Sequence, residues 1–119
     1  MPPVVNATLQ VLKKRADFLS AARAKRAVMP GFVLQARRRE GEDPGIRIGY
    51  TCSKKVGNAV ARNRAKRRLR EIARAVLPSA GQPSWDYVLI GRAKVTATLP
   101  FQQLLADLNT ALARVHQNT

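Results

Sequence analysis

The basic run between Lys54 and Arg74 is the part of this sequence whose residue types and spacing could do chemistry. It contains nine lysines or arginines in 21 residues, and Glu71 is the only acid among them. Its densest stretch, residues 62–71, reads RNRAKRRLRE. A face this cationic repels itself unless a polyanion lies against it, and nucleic-acid phosphate is the usual candidate. The run therefore predicts a nucleic-acid-binding surface.

The distribution of charge along the chain supports a localised site. The 119 residues carry a formal net charge of +15 with 45% hydrophobic residues, which suits one domain with its own core. Residues 1–53 hold ten basic and four acidic residues, residues 54–74 hold nine and one, and residues 75–119 hold three and two. The excess is concentrated in the middle of the chain, so it is more than general surface solubility.

The residues that a protein-borne catalytic centre needs are missing from the sequence. A nuclease uses clustered carboxylates to hold Mg²⁺, or a histidine acid–base pair, whereas the seven acids here are scattered and Cys52 and His116 are each the only one of their type. We therefore expect no catalytic residue and no metal ligand in this chain. No stretch approaches the roughly 18 apolar residues of a spanning helix, and no signal peptide is evident, so we expect a cytoplasmic protein.

The elements that position the basic run follow from periodicity and capping. Residues 1–10 are predicted to be a flexible tail and residues 11–119 a single nucleic-acid-binding domain. Asp17 is predicted to cap a short helix over residues 18–24. Asn58 is predicted to cap the basic helix, which should end near Leu77 because Pro78 follows.

Strand patterns flank the basic helix. Apolar residues alternate with polar ones over 32–37 and 46–51, and the turn residues at 40–45 predict that these two strands form an antiparallel hairpin. A separate short strand is predicted at 26–29. Residues 86–90 are almost continuously apolar, which predicts a central strand covered on both faces.

The last part of the chain predicts a closing helix. Thr98 is expected to cap it, and Phe101, Leu104, Leu105, Leu108, Leu112 and Val115 recur at core spacing. His116 is expected at its frayed end, and Asp86 is expected to stand alone. The order of elements describes a compact α+β sandwich.

Other interpretations of the basic helix and of Phe18 can be weighed against binding. A solvated, salt-bridged face would need acids four residues from the arginines, and only Glu71 is available. A membrane-surface helix would carry bulky apolar residues, whereas this apolar side is mostly alanine. Phe18 is either a core residue or a platform on which an unpaired base stacks.

The stretch from 49 to 71, GYTCSKKVGNAVARNRAKRRLRE, closely resembles the signature of the bacterial ribonuclease P protein subunit. The resemblance extends to LKKRADF at 12–18, to FVL at 32–34 and to the strand at 86–92. It thus covers roughly residues 11–115.

The resemblance implies a fold: a two-layer α/β sandwich like domain 2 of ribosomal protein S5, with element order α-β-β-β-α-β-α. It also implies a left-handed β-α-β crossover through the arginine-rich helix, although about 98% of such units are right-handed.

The resemblance also implies a function, namely the protein subunit of the ribonuclease P ribonucleoprotein, an endonuclease that removes the 5′ leader of precursor tRNA. In that family the RNA subunit holds the Mg²⁺ ions and performs the hydrolysis, so the protein alone binds no cofactor. The implied partners are the ribonuclease P RNA subunit and precursor tRNA, with one protein per RNA and no membrane.

Site residues follow from the same match. The positions implied to contact the RNA subunit are Lys54, Arg62, Asn63, Arg64, Lys66, Arg67, Arg68 and Arg70. The positions implied to line a cleft for the single-stranded leader are Phe18, Val33, Gln35, Arg37, Lys55 and Arg92. Ala22 stands where a second aromatic residue is frequent in the family and Gln35 stands where a tyrosine can occur, so leader affinity should depend more on phosphate contacts here.

Two rival functions stay open on the sequence. One is a structural ribosomal RNA-binding protein without an enzymatic role, and the other is a sequence-specific DNA binder, which would need a second recognition helix that the pattern lacks. The RNA that copurifies with the protein separates these possibilities.

Overall fold

A five-stranded mixed sheet forms the frame of the protein. The computed structural model describes residues 9–117, apart from the side chain of Lys54. The strand order is β1-β4-β5-β3-β2, in which β4 runs parallel to β1 and β5, and β3 runs antiparallel to β5 and β2. The strands are β1 (Leu9–Val11), β2 (Lys25–Val28), β3 (Phe32–Arg38), β4 (Ile46–Thr51) and β5 (Trp85–Gly91).

Helices cover both faces of the sheet. The helices are α1 (Arg15–Ala22), α2 (Ala59–Ala80), α3 (Val95–Thr98) and α4 (Phe101–His116). α2 and α4 pack over the main core, which includes Phe32, Leu69 and Leu108. α1 lies on the opposite face over a small cluster of Leu12, Ala21 and Val88. The predicted α+β class is confirmed.

The basic helix α2 forms as its sequence predicts. The Asn58 side chain accepts a hydrogen bond from the amide of Ala61 at 2.9 Å, which satisfies an orphan donor of the first turn. The buried stripe of α2 consists of Ala65, Leu69, Ile72, Ala73, Val76 and Leu77. The helix continues through Pro78 to Ala80, so the predicted end at Leu77 is three residues short.

The prediction that β3 and β4 form a hairpin is wrong, because β5 lies between them. β5 is the strand with the most continuous apolar run, and its burial on both faces is best satisfied at the centre of the sheet. α2 therefore connects the parallel neighbours β4 and β5 as a crossover. The handedness of that crossover stays a prediction.

The N-terminal region differs from the prediction in two respects. Leu9 and Gln10, which fall in the predicted tail, belong to β1 and pair with Ile46 and Arg47, while residues 1–8 lie outside the described residues. Asp17 does not cap α1, which begins at Arg15. No side-chain bond caps its first turn.

The C-terminal helix is anchored rather than frayed. Nε2 of His116 lies 2.7 Å from the Tyr87 hydroxyl, and its ring meets Trp85 edge-on with centroids 4.4 Å apart. The expectation of a frayed His116 is wrong because the last turn of α4 reaches over the start of β5. Thr98 does not cap α4 either; it ends α3, and its hydroxyl donates to the Lys94 carbonyl at 2.8 Å.

Candidate nucleic-acid interface

The outer face of α2 is a continuous cationic surface. Asn63, Arg64, Arg67 and Arg70 are exposed along its length. The apolar stripe on its inner side holds the helix against the sheet, so these side chains point to solvent by geometry. The guanidinium of Arg70 also lies 5.5 Å from the centroid of the Tyr50 ring, near the end of β4.

Three cations of α2 are half-buried, and two of them hold the surrounding backbone in place. Arg62 donates to the carbonyl of Gly57 at 3.3 Å, and Arg68 donates to the carbonyls of Leu99 at 2.6 Å and Thr96 at 3.3 Å. The third is Lys66. Arg68 therefore contributes to the packing of α2 against the α3–α4 segment, besides its charge.

The turn before α2 requires a glycine. Gly57 has φ = +143°, and a Cβ there would lie 2.8 Å from that of Ala61. Lys55 is exposed in the 3₁₀ turn Lys54–Val56 immediately before it. This geometry places Lys55 close to the beginning of the cationic helix.

A second surface lies on the α1 face of the sheet. The ring of Phe18 is half-buried there, against the cluster of Leu12, Ala21 and Val88. It packs so closely over β4 that a Cβ at Gly49 would lie 2.6 Å from the ring. Phe18 is thus part of the packing under α1 and still partly open to solvent, so both of its predicted roles fit its position.

The predicted leader residues of β3 share this face with Phe18. Val33, Gln35 and Arg37 pair in register with Ile90, Val88 and Asp86 of β5, and directly paired residues point to the same side of a sheet. All three are half-buried. The structure therefore brings Phe18, Val33, Gln35 and Arg37 together.

Lys55 and Arg92 are separated from Arg37 along the strands. They follow the carboxyl ends of the parallel neighbours β4 and β5, whereas Arg37 pairs with Asp86 near the start of β5. At about 3.3 Å per residue, the four steps from Val33 to Arg37 cover roughly 13 Å. Arg92 is exposed but donates to the carbonyl of Met29 at 2.8 Å.

A buried carboxylate organises the basic end of the α1 face. Asp86 is fully buried, and its oxygens accept hydrogen bonds from Arg47 at 2.6 and 2.7 Å and from Arg39 at 2.8 Å. Arg37 lies 3.6 Å away. Burial alone would raise the pKa of Asp86, but the hydrogen bonds from Arg47 and Arg39 outweigh it and lower the pKa. The expectation that Asp86 stands alone is wrong.

Asp17 connects α1 to this cluster. Its carboxylate lies 3.4 Å from Arg47 and 4.0 Å from Arg37. Because Phe18 is the next residue, these ion pairs fix the end of α1 that carries the ring. The sequence contained a signal for this cluster. Asp86 is the only acid in the otherwise apolar strand β5, and the chain is rich in arginine that could pair with it.

The remaining candidates for chemistry are the Cys52 thiol and any cluster of metal-binding side chains. Burial raises the pKa of the Cys52 thiol, although the backbone of Gly91 and the nearby Lys66 and Arg62 oppose the rise. Residues 9–117 hold no group of three or more His, Cys, Asp or Glu side chains that could bind a metal ion. Over the same residues, no helix combines the length and the apolar character that crossing a membrane requires.

Comparison with known proteins gives one consistent result. A family model described as Ribonuclease P matches residues 7–116. The ribonuclease P protein component of Ruegeria pomeroyi is 60% identical over 121 residues, covering 98% of this chain and 97% of that protein. The protein of the same name from Caulobacter vibrioides is 52% identical over 101 residues, covering 85% of this chain and 67% of its own length.

Solved structures agree with the sequence comparison. The RNase P protein of Staphylococcus aureus matches with a TM-score of 0.72 at 28% identity, covering 89% of this chain and 94% of that chain. The RNase P protein from Thermotoga maritima matches with a TM-score of 0.72 at 30% identity, covering 88% of this chain and 96% of that chain. The chain therefore belongs to the ribonuclease P protein family.

Proposed function

We propose that this chain is the protein subunit of a ribonuclease P ribonucleoprotein and that it binds two RNAs on two different surfaces. The cationic face of α2 binds the RNA subunit, and the α1 face of the sheet binds the single-stranded 5′ leader of precursor tRNA. The observation that carries this proposal is the position of α2 and α1 on opposite faces of one sheet. Two RNA segments can then be held at the same time without competing.

The binding of the RNA subunit is proposed to depend on phosphate neutralisation. The exposed cations of α2 are Arg64, Arg67, Arg70 and Arg74. Each phosphate contact releases condensed counterions, so affinity should fall steeply with added salt. Lys54, Arg62, Asn63, Lys66 and Arg68 complete the proposed surface.

The leader is proposed to run along β3 past Phe18. Val33 and Gln35 offer one apolar and one amide contact beside the ring, and Arg37 supplies a cation at one end of the row. Lys55 and Arg92 supply cations at the other end, where β4 and β5 finish. Stacking on Phe18 would contribute roughly 1–3 kcal/mol for one base.

We place the hydrolysis and its Mg²⁺ in the RNA subunit, as the family resemblance implies. The two acids nearest the proposed leader path do not offer free metal ligands, because Asp86 is surrounded by Arg37, Arg39 and Arg47, and Asp17 is paired with Arg47. The protein then contributes by positioning the precursor. We place the complex, with one protein per RNA, in the cytoplasm.

Reconstitution at low Mg²⁺ tests the proposal. Purified RNA subunit is assayed for 5′ cleavage of precursor tRNA, with and without this protein, over a series of Mg²⁺ concentrations. We expect the protein to lower the Mg²⁺ concentration at which cleavage becomes efficient. If cleavage is the same with and without the protein, the proposal is wrong. Recovery of ribosomal RNA alone with the tagged protein would instead favour the structural ribosomal role.

A further inference from the structure

Lys94 occupies a backbone conformation that disfavours a lysine. It has φ = +63° and ψ = −44°, and the amide of Val95 donates to the carbonyl of Ala93 at 2.6 Å. These angles and this bond define a γ-turn of the positive-φ type, which is rare and strained. A side chain at positive φ crowds its own backbone, whereas glycine adopts this region freely. Lys94 therefore costs the fold stability that a glycine would not.

The local structure gives the Lys94 side chain no compensating role. Lys94 precedes Val95, the first residue of α3, at a position where Ser, Thr, Asp or Asn would accept a hydrogen bond from the helix. No side-chain bond caps α3. The Lys94 side chain is exposed and makes no hydrogen bond or ion pair within residues 9–117. Nothing in the surrounding structure therefore requires a lysine at this position.

The neighbours of Lys94 hold its γ-turn in place. Thr96 is fully buried, and its hydroxyl accepts from the amide of Arg92 at 2.7 Å and donates to the carbonyl of Gly31 at 2.6 Å. The hydroxyl of Thr98 donates to the Lys94 carbonyl at 2.8 Å. Strained turns persist where their surroundings over-determine them, and they cluster at sites that hold a ligand. The Lys94 side chain is thus presented to solvent from a fixed backbone.

The loop that carries Lys94 adjoins the loop that carries Lys55. β4 and β5 are parallel neighbours, so both loops begin at the same end of the sheet. A Cβ at Gly91 would lie 2.6 Å from the Sγ atom of Cys52, so the two loops are in contact where they begin. Lys55 and Lys94 each follow this point of contact by three residues, and both are exposed.

This end of the sheet carries cations without acids. Residues 52–57 and 91–99 include Lys54, Lys55, Arg92 and Lys94 but no Asp or Glu. Cations grouped in this way repel one another unless a polyanion lies against them. Arg92 is partly committed to the fold, because its Nη1 atom donates to the carbonyl of Met29 at 2.8 Å. Lys94 supplies a cation that has no such internal bond.

We propose that Lys94 is a further binding residue for the single-stranded leader and contacts one of its phosphates beside Lys55 and Arg92. The inference rests on the proposed function, in which the leader path reaches this end of β4 and β5. The strain in the γ-turn is the local cost of holding an ammonium group there. Lysine suits this role because it binds phosphate as a point charge and needs no fixed geometry.

Three substitutions separate the charge of Lys94 from its backbone strain. Lys94→Ala removes the charge and keeps the strain, Lys94→Gly removes both, and Lys94→Arg keeps both. Arg38→Ala is the matched control, because Arg38 is equally an exposed cation but pairs with Trp85 at the opposite end of β5. Each variant is assembled with the purified RNA subunit, and binding of precursor and mature tRNA is measured at several salt concentrations.

We expect Lys94→Ala and Lys94→Gly to weaken precursor binding by about three- to fivefold, the upper range for one exposed ion pair. The slope of log affinity against log salt should decrease by about 0.7, the value for one phosphate of a single strand. Lys94→Arg and Arg38→Ala should stay within about twofold of the original protein. Binding of mature tRNA should be the same for all variants, because mature tRNA has no leader.

Thermal unfolding tests the strain independently of binding. Lys94→Gly should unfold at a temperature roughly 2–6 °C higher than Lys94→Ala, because both lack the charge and only glycine relieves the strain at positive φ. Equal midpoints would show that the fold bears no cost at this position. The argument from strain to function would then be overturned.

The two proposals fail in different ways. If the complex with the original protein binds precursor no better than mature tRNA, the proposed leader binding itself is wrong. If precursor is preferred and Lys94→Ala and Lys94→Gly bind it as the original protein does, only the assignment of Lys94 is wrong. An equal loss for precursor and mature tRNA would place Lys94 against the tRNA body and would likewise overturn its assignment to the leader.

Discussion

The ring of Phe18 lies directly over Gly49, with Cε1 and Cζ both 2.6 Å from the position that a glycine Cβ would occupy. Leu12 Cβ is 3.2 Å from the same point. β4 therefore leaves room for the ring only because it carries no side chain at this position. The height of Phe18 above the sheet, and with it the shape of the proposed leader cleft, depends on this glycine.

Gly49→Ala should displace the Phe18 ring and weaken the preference for precursor over mature tRNA. The added methyl group should also cost about 1–3 kcal/mol of unfolding free energy, as overpacking usually does. Binding to precursors with long and short leaders measures the first effect, and denaturant unfolding measures the second.

Phe18→Ala is the comparison variant for this prediction. It should lose affinity for precursor with a long leader and retain affinity for mature tRNA. Equal losses for both RNAs in the two variants would show that Phe18 serves packing only.

Asp86→Asn should destabilise the fold by about 3–5 kcal/mol, because Arg47 and Arg39 would keep their charges without the buried carboxylate. Asp43→Asn is the control: its side chain is 62% exposed and its 3.9 Å pair with Arg39 should contribute less than about 1 kcal/mol. Chemical denaturation of both variants makes the comparison. Similar midpoints for the two would contradict a central role of Asp86.

The stability of the fold should fall as the pH drops below about 6.5, owing to His116. Burial lowers its pKa below the ordinary 6.5, and the charge of Lys25 adds to this effect. The unfolded chain therefore takes up a proton at a higher pH than the folded chain does, so acid favours unfolding. His116 is the only histidine in the sequence, which makes it the principal side chain titrating between pH 5 and 8.

Thermal unfolding from pH 8 to pH 5 measures this dependence. His116→Gln should reduce the fall in stability over that range, because glutamine can hydrogen-bond the Tyr87 hydroxyl but does not titrate. An unchanged pH dependence in His116→Gln would assign the effect to other groups.

Arg67→Ala combined with Arg70→Ala should weaken binding of the RNA subunit and flatten its salt dependence. The slope of log affinity against log salt should decrease by roughly 0.7–0.9 for each phosphate that the variant no longer neutralises. Arg38→Ala, an exposed arginine at the end of β3, should leave the slope unchanged. Binding titrations at several salt concentrations provide the measurement, and identical slopes for all variants would exclude phosphate binding by Arg67 and Arg70.

Local patterns were sufficient to predict the elements that carry the proposed RNA surfaces. The Asn58 cap, the buried stripe from Ala65 to Val76 and the apolar strand β5 depend on residues a few positions apart. Interactions at that range recur wherever the same sequence pattern occurs. The motif at 49–71 similarly led to the family without any structure.

Long-range arrangement was decided only by the tertiary structure. The alternation in β3 and β4 is compatible with any neighbouring strand. The sequence therefore could not show that β5 lies between these two strands and that they do not pair as a hairpin. The cluster around Asp86 joins it to Arg37, which is 49 positions earlier in the chain.

The packing of His116 on Trp85 likewise depends on where α4 ends over the sheet. The sequence by itself determined the basic helix α2, the central strand, the charge and the family. The tertiary structure determined which side chains meet, because contact between distant segments depends on packing the whole core at once.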